Sequence, residues 1–217
     1  MKLYTVPHSP YGARVCAQIK LKNLPVEVLP PPEPLRSEGF LKRFALGKVP
    51  ILELDDGRYL GESWAILEYL EEIGGEIPSL IPKDALARGK MRELARYADL
   101  HLAPNALFPL FKSVLAGEAV TASTLDALHT ELAKGERLIA ARGSLAERAL
   151  DLGDIALAPS VLYLFLLLEG LGKKEILADF PAFSGWWEGM DRIPEIRETL
   201  QGVSTAFRAF AGSRATA

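Results

Sequence analysis

The chain has 217 residues, 49% of them apolar and 24% charged, and a net charge of −3, which allows one large globular domain or two small ones. The slight acidity and the absence of any Lys/Arg block exclude an electrostatic footprint for nucleic acid. A single cysteine excludes an intrachain disulfide framework and suits a reducing compartment, so a cytoplasmic location is expected.

In chain order, "KLYTV" predicts a strand, and Pro7, His8 and Ser9 follow it before any long apolar run, so no secretory signal is expected. A helix is predicted from about Pro10 to Lys22, starting at Ser9 and ending near Asn23. "VEVL" is a second strand, and the Pro30–Pro34 cluster after it cannot be a central one. A short helix follows over Ser37 to Phe44. "ILEL" and "RYL" flank Asp55-Asp56-Gly57, a hairpin signal with glycine where positive φ is needed. Ser63 then opens "WAILEYLEEI", with apolar residues at helical spacing until Gly74-Gly75 stop it. The order is β-α-β-α-β-β-α around a small mixed sheet.

From Asp84 the strand signals disappear. Helices are predicted at roughly 85–116, 123–142, 151–171, 182–191 and 194–200, with Pro104 and Pro109 kinking or dividing the first. The apolar run Ile155 to Leu168 is too short to span a bilayer and reads as a core helix. The change of class at "PSLIPKD" predicts an α/β domain over 1–78 followed by an all-α domain over 85–217.

The stretch "GKVPILELDDGRYLGESWAILEYL", Gly47 to Leu70, carries most of the functional information. Val49-Pro50 stands directly before a strand. A cis bond is expected there, leaving the Val49 N–H and C=O as an edge for the backbone of a short peptide. Glu62-Ser63 stands at a helix N-terminus, where N–H groups and the macrodipole favour a carboxylate. Ser63 adds a hydroxyl, and Glu62 adds a negative charge suited to an ammonium group. Together they describe a receptor for an amino-acid head group joined to an extended peptide.

Here the chain resembles the cytosolic glutathione transferase family over nearly its whole length. The matching blocks are S-P-Y-x-x-R-V at Ser9 to Val15, G-K-V-P with D-D-G-x-x-L-x-E-S-x-A-I-x-x-Y-L, "LIPKDALAR", "DLGDIALAPS" and "FPAFSGWWEGMDRIPEI". The resemblance implies a thioredoxin-like N-terminal domain, an all-helical C-terminal domain and a homodimer. It implies that Glu62 and Ser63 hold the γ-glutamyl group of glutathione, that Val49 and Pro50 present the edge for its cysteinyl residue, and that Lys48 lies near its glycyl carboxylate. Two departures stand out. Phe44-Ala45 replaces the family's Asn-Pro ahead of Gly47, and Asp151 stands where Ser or Thr is usual before Asp154.

"SPYG" at 9–12 keeps the frame of the C-P-Y-C dithiol of glutaredoxins without either sulfur. The thiol is then the ligand's, and Ser9, at the start of a helix, can donate its hydroxyl to that sulfur. A cysteine thiol has a pKa of about 8.5, and lowering it by two units leaves mostly thiolate, the nucleophile, at neutral pH. The Ser-Pro-aromatic form resembles the serine-type tau, delta and zeta groups. Tyr11 is a competing hydroxyl, expected with His101, Asn105 and Phe108 to line the pocket of a second substrate. Phe111, Tyr163, Phe207 and Phe210 offer it further apolar lining.

Other residues have plainer readings. Arg14 reads as an ion-pair partner, Asp154 as structural and Cys16 as a small buried residue. His8, His101 and His129 lack metal-ligand spacing, so no metal is expected. The predicted activity is conjugation, isomerisation or lyase chemistry, with glutathione directed at a small hydrophobic electrophile and no membrane or nucleic-acid partner. The alternative is a non-catalytic interaction module of the same fold, associated with transcription or translation. Ser9, Val49-Pro50 and Glu62-Ser63 occurring together favour the enzyme. A thiol–disulfide reductase would need cysteine at position 9 or 12.

Overall fold

Successive residues of a strand point to opposite faces, and in this protein the two faces of one small sheet build two cores. A computed structural model describes residues 1–74 and 78–215. Strands β1 (Lys2–Tyr4), β2 (Glu27–Leu29), β3 (Ile51–Glu53) and β4 (Tyr59–Gly61) lie in the order β2-β1-β3-β4. β1 pairs with β2 in parallel and with β3 antiparallel, so the sheet is mixed as expected. Leu3 stands opposite Leu52 and Tyr4 opposite Ile51. Leu3 and Leu52 enter the main core with residues of α1 (Pro10–Leu21) and α3 (Ser63–Ile73). Tyr4 and Ile51 form a second, small core with Phe40 of α2 (Glu38–Arg43) and Phe44.

Local signals set the ends of these elements. Ser9 Oγ accepts from the Gly12 N–H at 3.0 Å, and Ser37 Oγ from the Phe40 N–H at 3.2 Å, each satisfying one of the unpaired donors of a helix start. The β3–β4 hairpin closes through Leu54 N–H to the Arg58 carbonyl at 2.9 Å, with Gly57 at φ +83°. Gly74 is the C-cap of α3, and Gly75, expected to share that role, lies outside the described residues.

Among the described residues, every element after α3 is helical. The expected helix over 85–116 is three pieces: α4 (Ala85–Tyr97), a π-helix (Ala98–Leu107) and α5 (Phe108–Ala116). Pro104 lies inside the π-helical piece, where it has no N–H to offer an i−4 carbonyl, and the Phe108 N–H bonds five residues back to Ala103. Then come α6 (Ala122–Ala140), α7 (Leu152–Gly170), a 3₁₀ turn (Lys174–Asp179), α8 (Pro181–Asp191) and α9 (Pro194–Ala215). The last helix runs well past the expected end near 200. Val203 and Phe207 continue its buried stripe, and Gly202 is exposed, so it costs the helix only about 1 kcal/mol.

α7 is apolar on all sides and buried along most of its length. By length and composition alone it could cross a membrane, yet 89% of its most apolar stretch is inside the protein. Its start is a capping box. Asp151 Oδ1 accepts from the N–H groups of Gly153 and Asp154, and Asp154 Oδ2 accepts from the Asp151 N–H. Aspartate therefore serves where serine or threonine was the familiar choice. Gly153 is required by packing, since a Cβ there would come within 2.5 Å of the Met91 carbonyl on α4. α1 packs on α3, α7 and α9, so one hydrophobic core runs from the sheet into the helices.

Candidate active site

A cleft of about 860 Å³ opens where the N-terminus of α3, the segment before β3 and the π-helix meet. Lys48, Val49, Pro50, Glu62, Ser63, Tyr11 and Phe108 all line it. Val49-Pro50 is cis. Among the described residues the Val49 N–H and C=O make no hydrogen bond, so a complete peptide-pairing edge faces the cleft.

Glu62 is the N-cap of α3 at φ +64°, ψ 115°, and its side chain makes no cap hydrogen bond. A non-glycine residue at positive φ is strained by about 1–3 kcal/mol and is held there by its surroundings. The strain leaves the first N–H groups of α3 without a side-chain acceptor of their own. Ser63 behind it is buried, and its Oγ accepts from Arg14 Nη1 at 3.4 Å. Among the described residues, Glu62, Lys48 and Arg36 have no ion-pair partner. One anion and two cations on the cleft wall are thus uncommitted.

Beneath Ser63 lies the ion pair that the sequence assigned to Arg14 without its partner. Arg14 is fully buried, with Nη1 2.7 Å from Asp99 Oδ1 on the π-helix and its guanidinium 4.7 Å from the Tyr11 ring centroid. One buried charge thus ties together α1, the start of α3 and the helical half of the chain. Burial raises the Tyr11 pKa, against the opposing pull of Arg14, so the phenol stays protonated and can only donate or accept as a hydroxyl.

Ser9 is 7% exposed and immediately precedes the first turn of α1; it does not itself line the cleft, which Tyr11, two residues on, does. Its oxygen is the cap acceptor for Gly12, which leaves the hydroxyl hydrogen to be donated elsewhere. Gly12, at the place of the second sulfur in a dithiol motif, has no room for a side chain, because a Cβ would come within 1.9 Å of Thr5 Oγ1. Burial pushes the Cys16 pKa up to about 11, which disfavours its thiolate.

The cleft's helical wall differs from the expected one. Leu100, Asp99 and Arg96 join Phe108 in lining it, while His101 and Asn105 do not. Asn105 Nδ2 instead donates to Glu131 Oε1 at 3.1 Å, and the His101 ring lies parallel to Tyr97, 6.4 Å from it. The physical reason is the π-helix. Spacing of three and four residues puts 101, 105 and 108 on one face only in an α-helix, and i→i+5 bonding changes that phase. The aromatic residues expected as lining are elsewhere too. Phe111, Tyr163 and Phe207 pack together with ring centroids 4.8–6.2 Å apart, and Phe210 stacks on His8. Within the cleft lining, Arg43 stacks over Phe44 and Tyr59. Sequence reasoning missed Arg36, Arg43 and Arg96, whose separation along the chain hides their convergence. Among the described residues no group of three or more His, Cys, Asp or Glu side chains forms a metal site.

A thioredoxin-like sheet with an open peptide edge, set against a helical bundle, is the architecture of glutathione-binding proteins of the transferase type. Residues 3–78 match the family model for the glutathione S-transferase N-terminal domain. Glutathione S-transferase 2 of Saccharomyces cerevisiae is 26% identical over 93% of this chain and 90% of its own length. A glutathione S-transferase from Rhodospirillum rubrum superposes with a TM-score of 0.71 at 28% identity, covering 91% of this chain and 90% of that one. The Drosophila melanogaster isozyme E7 gives 0.81 at 25% identity, covering 98% and 96%. Residues 3–78 thus belong to the glutathione S-transferase N-terminal domain family, and the likeness to glutathione transferases extends over more than nine-tenths of the chain.

Proposed function

We propose that this protein is a glutathione transferase of the serine type, with its glutathione-binding domain at 1–78 and its helical domain at 85–217. The observation that carries the reading is the open N-terminus of α3 facing the unbonded backbone of Val49 across one cleft. The γ-glutamyl carboxylate sits on the α3 N–H groups and the Ser63 hydroxyl, and the ammonium sits on Glu62. The cysteinyl backbone pairs with Val49 beside Pro50. The glycyl carboxylate meets Lys48, with Arg36 near it as a second cation.

Ser9 donates its hydroxyl to the sulfur and favours loss of the thiol proton to solvent. The thiolate then supplies the electron pair for the new carbon–sulfur bond to a small hydrophobic electrophile. A leaving group departs with its own pair, or, in an addition, the displaced pair takes up a proton. Tyr11, Leu100 and Phe108 give that electrophile an apolar wall. A non-catalytic interaction module would have no use for an open peptide edge, an uncommitted Glu62 and a thiol-facing hydroxyl together.

Thiolate absorbance of the glutathione complex against pH tests the catalytic part. Removing a well-oriented donor to a transition-state oxyanion costs about 2.7–4 kcal/mol. Sulfur is a softer acceptor, so Ser9→Ala should cost about 1–3 kcal/mol, raising the pKa of the bound thiol and slowing conjugation near neutral pH. Tyr11→Phe should leave the titration in place; the reverse pattern would move the role to Tyr11. The family resemblance also carries a homodimer into this reading. Light scattering at micromolar concentration should give about twice the 23.7 kDa chain mass, and a monomer there would remove that part.

A further inference from the structure

The loop that delivers Ser9 is gripped from the helical half of the chain at His8. The His8 carbonyl accepts a hydrogen bond from the Tyr163 hydroxyl on α7. The His8 ring stacks on Phe210 of α9, with centroids 4.4 Å apart and planes 15° from parallel. Tyr163 is itself fixed edge-on against Phe207 at 4.8 Å. Burial raises its pKa, so the phenol remains a donor through the neutral range. On the other side, the loop is tied through Ser9 N–H to the Val6 carbonyl at 2.9 Å and through Ser9 Oγ to the Gly12 N–H at 3.0 Å. His8, Tyr163 and Phe210, like Ser9 itself, are absent from the cleft lining, which begins beside them at Tyr11.

Ser9 is thus fixed from two directions. α1 sets its cap bond, and the two aromatic residues on α7 and α9 set where the preceding peptide lies. A hydrogen bond weakens steeply as its angle departs from linear, and small misplacements of a reacting group cost much more rate than affinity. Phe210 lies in the stretch of α9 that extends beyond its expected end, which gives that extension a task.

We propose that Tyr163 and Phe210 are positioning residues for the Ser9 hydroxyl, so that the helical half of the chain, holding His8, sets the geometry of thiol activation. This rests on the assignment of Ser9 as the thiol-activating donor. A merely structural role for the two residues would lower stability and leave the titration of the bound thiol unmoved.

The test is thiolate absorbance against pH for the glutathione complexes of the parent protein, Ser9→Ala, Tyr163→Phe, Phe210→Ala and the double variant Ser9→Ala/Tyr163→Phe. Tyr163→Phe keeps the ring in its cluster and removes one hydroxyl, and Phe210 is only half-buried, so both variants should fold. Tyr163→Phe and Phe210→Ala should each raise the pKa of the bound thiol by about 0.5 and slow conjugation near pH 7 by about threefold, with KM for glutathione unchanged. Phe210→Tyr, which keeps the stack, should restore the parent titration. In the Ser9→Ala background Tyr163→Phe should add nothing. If Ser9→Ala shifts the titration and neither aromatic variant does, the positioning role is wrong and the Ser9 assignment stands. Additive shifts in the double variant would also overturn it, because the aromatic residues would then act apart from Ser9. An unmoved titration in Ser9→Ala would remove the Ser9 assignment and this inference together.

Discussion

Two helix starts in this molecule face the same electrostatic problem and solve it in opposite ways. At α7 the chain satisfies its own N–H groups. Asp151 caps them, Asp154 returns a bond to the Asp151 N–H, and Arg148 and Trp186 fill the remaining oxygens of Asp154 at 2.6–2.9 Å. At α3 the cap residue is Glu62, held at φ +64° with its carboxylate turned to no donor of the helix. Both starts carry the same partial positive charge. Closed off by its own side chains, such a start is a joint of the fold; left open on a cleft, it is free to receive a ligand's carboxylate, the role proposed above for α3.

The largest expected effect tests the closed end. Asp154 is fully buried with Arg148 as its bidentate partner, and breaking a buried pair typically costs about 3–5 kcal/mol. Asp154→Ala should lose that much in urea unfolding, while glutathione affinity of the folded fraction stays as in the parent. An equal loss of affinity would mean that the two helix starts are not separable. The open end should behave in the reverse sense. Glu62→Ala should weaken glutathione binding by about 1.5–3 kcal/mol, as for a charge-assisted hydrogen bond, with no loss of stability.

Glu62→Gly sharpens this. Glycine adopts positive φ without the Cβ penalty, so this variant should gain about 1 kcal/mol of unfolding free energy while losing the same affinity as the alanine variant. A loss of stability would mean that the Glu62 conformation is not strained. The smallest effect concerns Cys16. Burial raises its pKa to about 11, so the thiol is protonated at neutral pH. Its alkylation in the native protein should be slow there, gaining about tenfold per pH unit until the pKa is approached. Fast alkylation at pH 7 would mean that burial does not hold the thiol protonated.

What could be read in the sequence was what is local. Ser9, Ser37 and Asp151 cap helices within three residues of themselves, and Asp55-Asp56-Gly57 closes a hairpin within five, so composition and spacing display them. The order of strands and helices in the first half followed from the same short-range signals. What failed was long-range. Asn105 is drawn from the cleft by Glu131, a buried carboxylate on another helix. His101 and Asn105 were placed by α-helical phase; Pro104 marked an interruption there, but not that it would take the form of a π-helix and shift that phase. Arg96 and Arg36 reach one cleft from distant elements, and Phe210 reaches His8 from the far end of the chain. Tyr163 was legible as an aromatic residue of the helical half; that its hydroxyl holds the Ser9 loop was not.

The most direct test of the open-end account is a calorimetric cycle with two ligands and two proteins. Glutathione and N-acetylcysteinylglycine, which lacks the γ-glutamyl carboxylate and ammonium, are each titrated into the parent protein and Glu62→Ala. The account predicts that glutathione loses about 1.5–3 kcal/mol on going to Glu62→Ala while the truncated ligand binds both proteins alike. Equal losses for the two ligands, or no loss for glutathione, would show that the head group does not sit at the N-terminus of α3.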